Sequence, residues 1–303
     1  MDKIDSLKFF IRCVEKKGIA SAGRDFGMSP ATASSRLTDL ETYYGAKLLN
    51  RTTRSISLTE EGRVLLDRAR HLVDESENLR NQIRLGSTQL SGLIKLSAPH
   101  DLGRNVINPI LDAFIELHPD IELELVLEDN YMDLIEHGID LAVRLGRAQD
   151  SSLISRKLAS NRRIICAAPS YWEKHGIPKH PNELSEHNCL IMHWGKIINQ
   201  EWTFSLNKEV INVSVSGKRA SNCGDHVKTW CLAGHGIAFK SFWDIQSHLE
   251  SGALVEALAD YTQEQDSALQ LLFPGGYPPA RRVRTLIDFM IDHFKNEETI
   301  SFN

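Results

Sequence analysis

The tightest constraint on how this chain can fold lies between residues 20 and 44, where two short runs of helical period meet at a glycine. Residues 20–26 read as a short helix ended by Gly27, and Ser29-Pro30 opens a second that runs through Leu40 to about Tyr44. Serine as N-cap with proline in the first turn is a strong start signal, because the hydroxyl satisfies an orphan amide and proline has none to lose. Two helices joined so tightly can pack only if small residues stand where they cross, and Gly23, Gly27 and Ala33 supply them. Ala33, Leu37 and Leu40 share one face of the second helix, which leaves Ala31, Ser34, Ser35 and Thr38 pointing the other way. That outer face is small and polar, suited to lie in a major groove.

The flanking segments fit a DNA-reading head. Leu7, Phe10, Ile11 and Val14 recur at helical spacing over residues 5–17, with Asp5 or Ser6 placed as cap. Residues 48–58 read as two extended pieces around a turn bearing Arg51 and Arg54, the form of a wing. From Thr59 a helix begins with Glu60 and Glu61 in its first turn and runs about 25 residues to Gly86. On it Leu65, Ala69, Leu72, Ser76, Leu79 and Ile83 alternate at spacings of four and three, an a/d stripe. The stripe serves either dimerisation or packing on its own domain, and the first is expected because little else in the head could cover it. Residues 1–58 hold ten lysines and arginines against six acids, while the whole chain is −5. A basic head on an acidic body suits a protein that holds DNA at one end.

After residue 89 the pattern changes to short apolar runs alternating with helices: strands at 93–97, 121–127 and 140–145, with helices at 103–117 and 130–137. It continues with strands at 163–168, 189–192, 201–205, 210–216, 236–240 and 268–273, and helices at 170–175, 224–234, 242–250 and 279–295. Such alternation predicts parallel strands with crossover helices, in two lobes with a ligand cleft between them. The five cysteines are scattered with no C-x-x-C pair, so no disulfide framework or zinc site is suggested. His175, His180 and His187 fall in a proline-bearing loop region and read as exposed. No hydrolase, metalloprotease, phosphate-loop or calcium-loop motif occurs, so no catalytic residue, metal or cofactor is expected. The charged N-terminus and the lack of any run of about 18 apolar residues predict a cytoplasmic protein without membrane partners.

The sequence Gly27-Met28-Ser29-Pro30-Ala31-Thr32-Ala33-Ser34-Ser35-Arg36-Leu37-Thr38, with Gly45-Ala46-Lys47-Leu48-Leu49-Asn50-Arg51-Thr52-Thr53-Arg54 and Leu58-Thr59-Glu60-Glu61-Gly62, resembles the LysR-type transcriptional regulators. Leu232-Ala233-Gly234-His235-Gly236-Ile237-Ala238 is similar to a turn of their second lobe. The resemblance implies an all-α winged helix-turn-helix over 1–58, a linker and dimerisation helix with hinge over 59–89, and an α/β effector domain over 90–303. That domain would be like a two-lobed periplasmic binding protein, with lobe I at about 90–162 and 268–303 and lobe II at about 163–267. It also implies that the protein is no enzyme. Its expected partners are double-stranded promoter DNA, a small-molecule effector, further copies of itself up to a homotetramer, and RNA polymerase. Matched position by position, Ser29, Pro30, Ala31, Thr32, Ser34, Ser35, Arg36 and Thr38 would meet DNA from the helix, and Arg51, Thr52, Thr53 and Arg54 from the wing. Many relatives carry arginine where this chain has Ser35, so its readout should lean on small contacts and DNA shape.

For the cleft, Pro99, His100 and Asp101 form a strand-end loop leading into a helix whose amides can take an anion. Asp129 and Asn130 end the next strand, Arg144 the one after it, and Asn222 and Cys223 face them from the second lobe. Trp202, with His193 and Trp194, either lines the second lobe or fills it. The expected effector is a small organic acid or an aromatic compound. Two rival readings stay open: a solute-binding or catalytic protein whose head only mediates assembly, and a redox sensor that pairs Cys223 with Cys231.

Overall fold

The computed structural model describes residues 2–51, 56–85, 90–146, 152–195, 197–207, 209–261, 267–276 and 278–301. The head comprises α1 (Lys3–Glu15), α2 (Ile19–Asp25), α3 (Pro30–Tyr44), β1 (Leu49–Arg51) and β2 (Ile56–Leu58), followed by α4 (Glu60–Leu85). Asp2, not Asp5 or Ser6, caps α1 by accepting from the Ile4 amide; Ser6 lies one turn further in and is buried. Gly27 sits at φ +66°, a left-handed turn that only glycine adopts without cost. A Cβ at Gly23 would come within 2.7 Å of the Ala33 Cβ, so the small residues at this crossing set how closely α2 and α3 approach. Phe9, Phe10, Ala33, Leu37, Leu40, Leu66 and Ala69 close one core, and β1 pairs antiparallel with β2.

The stripe on α4 divides. Leu65 and Ala69 are buried in the head's own core, whereas Leu72, Leu79 and Ile83 are exposed. The packing reading therefore holds for the first turns, and the remainder of the stripe lies exposed. Further contacts seat α4 on the effector region: Arg63 pairs with Asp133, Arg70 donates to the Ile135 carbonyl, and Arg282 reaches Asp74.

The larger region begins with β3 (Gly92–Ala98), α5 (His100–Leu102), a π turn (Gly103–Ile107) and α6 (Asn108–Leu117), then β4 (Ile121–Leu127), α7 (Leu134–His137), β5 (Leu141–Leu145) and β6 (Leu153–Ala159). It continues with β7 (Arg163–Ala167), α8 (Pro169–His175), β8 (Leu190–Trp194), β9 (Ile197–Asn199), β10 (Glu201–Leu206), β11 (Glu209–Ser214), β12 (Arg219–Ser221), α9 (Gly224–Leu232), β13 (Ala238–Ser241), α10 (Phe242–Glu250) and β14 (Val255–Ala257). The chain then returns through β15 (Leu269–Pro274) to α11 (Arg281–Ser301). One sheet has the order β4-β3-β5-β15-β6; β13-β7-β14 and β12-β8-β9 form the other lobe with the β10–β11 hairpin. Each lobe has its own apolar core, one around Ile94, Leu96, Phe114 and Leu286, the other around Ile164, Cys166, Trp202 and Ile237.

Several expectations are corrected. The strands are not all parallel: β3 pairs parallel with β4 and β5, but β15 runs antiparallel to β5 and β6, and β13 and β14 antiparallel to β7. Strand β6 carries no sequence signal, because it is a charged, largely exposed edge strand with no apolar run. The helix expected at 103–117 starts at His100, since a distant group, Asp129, accepts from the His100 amide. The helix expected at 130–137 shrinks to Leu134–His137, because Asp133 caps it and the Glu128 side chain holds Asn130 in a turn.

Candidate nucleic-acid interface and interlobe cleft

In the head, Ala31, Thr32, Ser35 and Thr38 are exposed and Ser34 is half-buried, all on the side of α3 turned away from Ala33, Leu37 and Leu40. Not every predicted contact is open to a base. The Ser29 hydroxyl accepts from the Thr32 amide and shares a 2.9 Å hydrogen bond with the Thr32 hydroxyl, so both side chains are engaged in the cap. Thr38 donates back to the Ser34 carbonyl. Arg36 lies 5.9 Å from the Phe9 ring with its Nε buried, so its stem belongs to the head's packing. Arg51 stands in β1, whereas Thr52, Thr53 and Arg54 lie outside the described residues.

One buried carboxylate that the sequence pattern does not single out fixes the wing to this helix. Glu41, 3% exposed, accepts from the Leu48 amide at 3.0 Å and pairs with Lys47 at 2.8 Å. Burial alone would raise its pKa, but the hydrogen bonds from Lys47, Leu48 and Leu49 outweigh it and hold the carboxyl below the usual glutamate range.

The cleft is built where α5 of one lobe meets α9 of the other. Asp129, after β4, accepts from the His100 amide at 2.8 Å and from the Gly224 amide at 2.7 Å, so a single carboxylate joins two helix starts across the lobes. Asn130 also crosses, accepting from the Gly195 amide at 3.2 Å. Asp101, 2% exposed, pairs with Lys228 of α9 and lies 3.4 Å from Lys240 of β13. Lys228 also meets Asp225 at 3.2 Å, Lys240 meets Asp244 at 3.0 Å, and Arg104 meets Asp225 at 3.3 Å. Burial works against the Lys240 ammonium, but the Asp244 and Asp101 carboxylates outweigh it and hold its pKa above the usual lysine value.

Of the predicted cleft residues, Pro99, His100, Asp101, Asp129, Asn130 and Cys223 come together here, and Asn222 stands exposed beside them. Two do not. Trp202 is 1% exposed, packs near Phe239 at 4.9 Å and donates to the Asn199 carbonyl, so it fills the second lobe's core. Arg144 turns its guanidinium to the Val143 carbonyl and the Ser97 hydroxyl and lines a groove of about 820 Å³ with Arg63, Asp133 and Tyr131. Sequence reading misses Lys228, Lys240 and Asp244. The available signal is a lone charge within an otherwise apolar stretch, as in Ile237-Ala238-Phe239-Lys240.

A Cys223–Cys231 disulfide cannot form while α9 keeps its conformation. The two residues stand eight positions apart along α9, about 12 Å by helical rise, beyond the roughly 7 Å that a disulfide spans. Cys231 points into the core toward the Cys166 carbonyl, and burial pushes the Cys189 thiol up to about 12.

Comparison with known proteins matches two family models: "Bacterial regulatory helix-turn-helix protein, lysR family" over residues 4–63 and "LysR substrate binding domain" over residues 87–295. The chain is 31% identical over 291 residues to the HTH-type transcriptional regulator DmlR of Escherichia coli K12, covering 96% of this chain and 94% of that protein. Among solved structures it is similar to the full-length virulence activator AphB of Vibrio cholerae (TM-score 0.61, 29% identity, 97% and 100% covered). It is also similar to CrgA of Neisseria meningitidis (TM-score 0.62, 27% identity, 97% and 99% covered).

Proposed function

The chain belongs to the LysR family of bacterial transcriptional regulators, and on that premise we propose that it docks the outer face of α3 in promoter DNA and changes transcription when an effector enters the interlobe cleft. The observation that carries the reading is the two-sided build of α3: a fully buried face fixes the helix while Ala31, Thr32, Ser35 and Thr38 stay open to solvent. The domain limits proposed are 1–58 for the reader, 59–89 for the linker and 90–303 for the effector region. Within the last, lobe I spans about 90–162 with 268–303 and lobe II about 163–267. Ala31 and Ser34 with Ser35 read base edges, and Arg51 and Arg54 hold phosphates. RNA polymerase is the partner through which such a regulator acts, in the cytoplasm and without catalysis.

The effector proposed is a small organic acid or aromatic compound. In support, the amides that open α5 and α9 already take a carboxylate, that of Asp129, so an effector carboxylate competes for donors of the right kind. Assembly is proposed to run through the exposed end of the α4 stripe, as a dimer and then a tetramer. Light scattering on Leu79→Lys with Ile83→Lys should give a smaller particle than wild type; an unchanged mass would remove the stripe from the interface.

The test of the main reading is direct. Full-length protein is titrated with duplexes from its own genomic neighbourhood at low ionic strength, with and without small organic acids. Binding whose affinity falls steeply with salt supports it. Folded protein that ignores every duplex refutes it.

A further inference from the structure

We propose that His100, Asp129 and Cys223 form a binding site for a zinc-class divalent cation that ties the two lobes together. A ring nitrogen of His100, a carboxylate oxygen of Asp129 and the Cys223 sulfur all lie within 4.8 Å of one another. In a tetrahedral zinc site, bond lengths of about 2.0–2.3 Å place donor atoms roughly 3.3–3.6 Å apart. The His100 Nδ1 to Asp129 Oδ2 separation is 3.5 Å, already within that range.

Three further observations favour a cation. First, His100 Nδ1 is buried and makes no hydrogen bond among the described residues, although the side chain is 36% exposed overall, so a nitrogen able to ligate faces inward. Second, the Asp129 carboxylate is 5% exposed and held in place by the His100 and Gly224 amides, the outer support that fixes a ligand before the metal arrives. Third, the surrounding charges are committed: Lys228 and Lys240 are engaged by Asp101, Asp225 and Asp244, and among the described residues no lysine or arginine stands within ion-pair distance of Asp129, which Arg144 reaches only through its longer-range field. A doubly charged ion closes that balance, with neutral imidazole, one carboxylate and one thiolate as ligands. Binding releases the thiol proton to solvent. A nitrogen, oxygen and sulfur set selects zinc or cobalt over magnesium and calcium, which take oxygen alone.

His100 and Asp129 belong to one lobe and Cys223 to the other, so the ion holds the cleft shut. The fourth coordination position is left for water or an oxygen of the effector. Spacing along the chain hides such a site, because its ligands stand at 100, 129 and 223 and only the closed lobes bring them together.

The experiment uses the full chain, stripped with a chelator and kept reduced without oxygen, titrated with Co²⁺ and then Zn²⁺. One equivalent of cobalt should give the near-ultraviolet thiolate-to-metal band and the strong visible bands of a tetrahedral ion, both erased by zinc. The other four cysteines are 0% exposed and do not contribute. Cys223→Ser should abolish the thiolate band, and His100→Ala, at a part-exposed ring, should weaken zinc binding at least roughly tenfold. No thiolate band in wild type, a band that survives in Cys223→Ser, or unchanged zinc affinity in His100→Ala overturns the proposal. If Cys223→Ser does not fold, His100→Ala decides alone. Operator binding measured on the same samples separates failure of the metal site from failure of the regulatory reading.

Discussion

The outer face of α3 and the interlobe cleft, the two recognition surfaces proposed, are built by opposite means. The helix face offers Ala31, Thr32, Ser34, Ser35 and Thr38, small and uncharged side chains at the surface of a rigid core. The cleft instead packs Asp101, Lys228, Lys240 and Asp244 side by side, every side chain less than a tenth exposed. A small polar face selects among sequences but contributes little affinity, which must come from phosphate contacts beside it. Buried charges do the reverse: each is costly unless its partner is in place, so the lobes are strongly coupled to the presence of those partners. The outer face of α3 is thus set by the local packing beneath it, and the cleft by charges that meet across the two lobes.

The sharpest way to break this contrast is Asp101→Ala. It leaves Asp225 and Asp244 as the carboxylates paired with Lys228 and Lys240 among the described residues, beside the Gly224 carbonyl that Lys240 reaches, so the effector region should lose about 3–5 kcal/mol in denaturant unfolding. A loss under about 1 kcal/mol would mean that the cleft is no more strained than an ordinary surface.

Next in size is the wing. Arg51→Ala with Arg54→Ala should lower operator affinity by about 2 kcal/mol and flatten the salt dependence by roughly 0.9 for each phosphate that is no longer neutralised. An unchanged slope would place these arginines off the backbone and force α3 to supply affinity as well as selection.

A smaller effect tests how the reader stays rigid. Glu41→Gln keeps the shape but removes the charge that Lys47 and the Leu48 amide bind. The opening free energy read from amide exchange at Leu48 and Leu49 should fall by about 1–2 kcal/mol at neutral pH. Because the folded carboxyl titrates below its unfolded value of about 4.3, its contribution is complete above that pH. It disappears as pH falls through the lower folded value, and there mutant and wild type should converge. A gap that persists in acid would assign the effect to packing instead.

What can be read from sequence follows the same division. The head is legible because its determinants are local: the Ser29-Pro30 start, the Gly27 turn and the Ala33, Leu37, Leu40 face all lie within a few turns of one another. The strand-end loop at Pro99–Asp101 is legible as a place, but not its partners. Lys228 and Lys240 meet Asp101 across more than a hundred positions, and no periodicity encodes such a meeting. Trp202 is ambiguous for the same reason, since an aromatic residue at a strand position reads alike whether it lines a cleft or fills a core. Strand β6 is hidden by its charges, which serve an edge exposed to water.

The smallest effect is the most discriminating, because it concerns sequence choice with little change in affinity. Ser35 is exposed on α3 and Ser34 half-buried beside it, so either hydroxyl removed as Ser→Ala alters at most one base-edge contact. Competition among duplexes that differ at single positions should show preference at one base pair change by about 1 kcal/mol, with nonspecific affinity and salt slope kept. If instead all duplexes weaken equally, the serines position the helix on the backbone. Specificity would then have to come from the shape of the DNA beneath the wing.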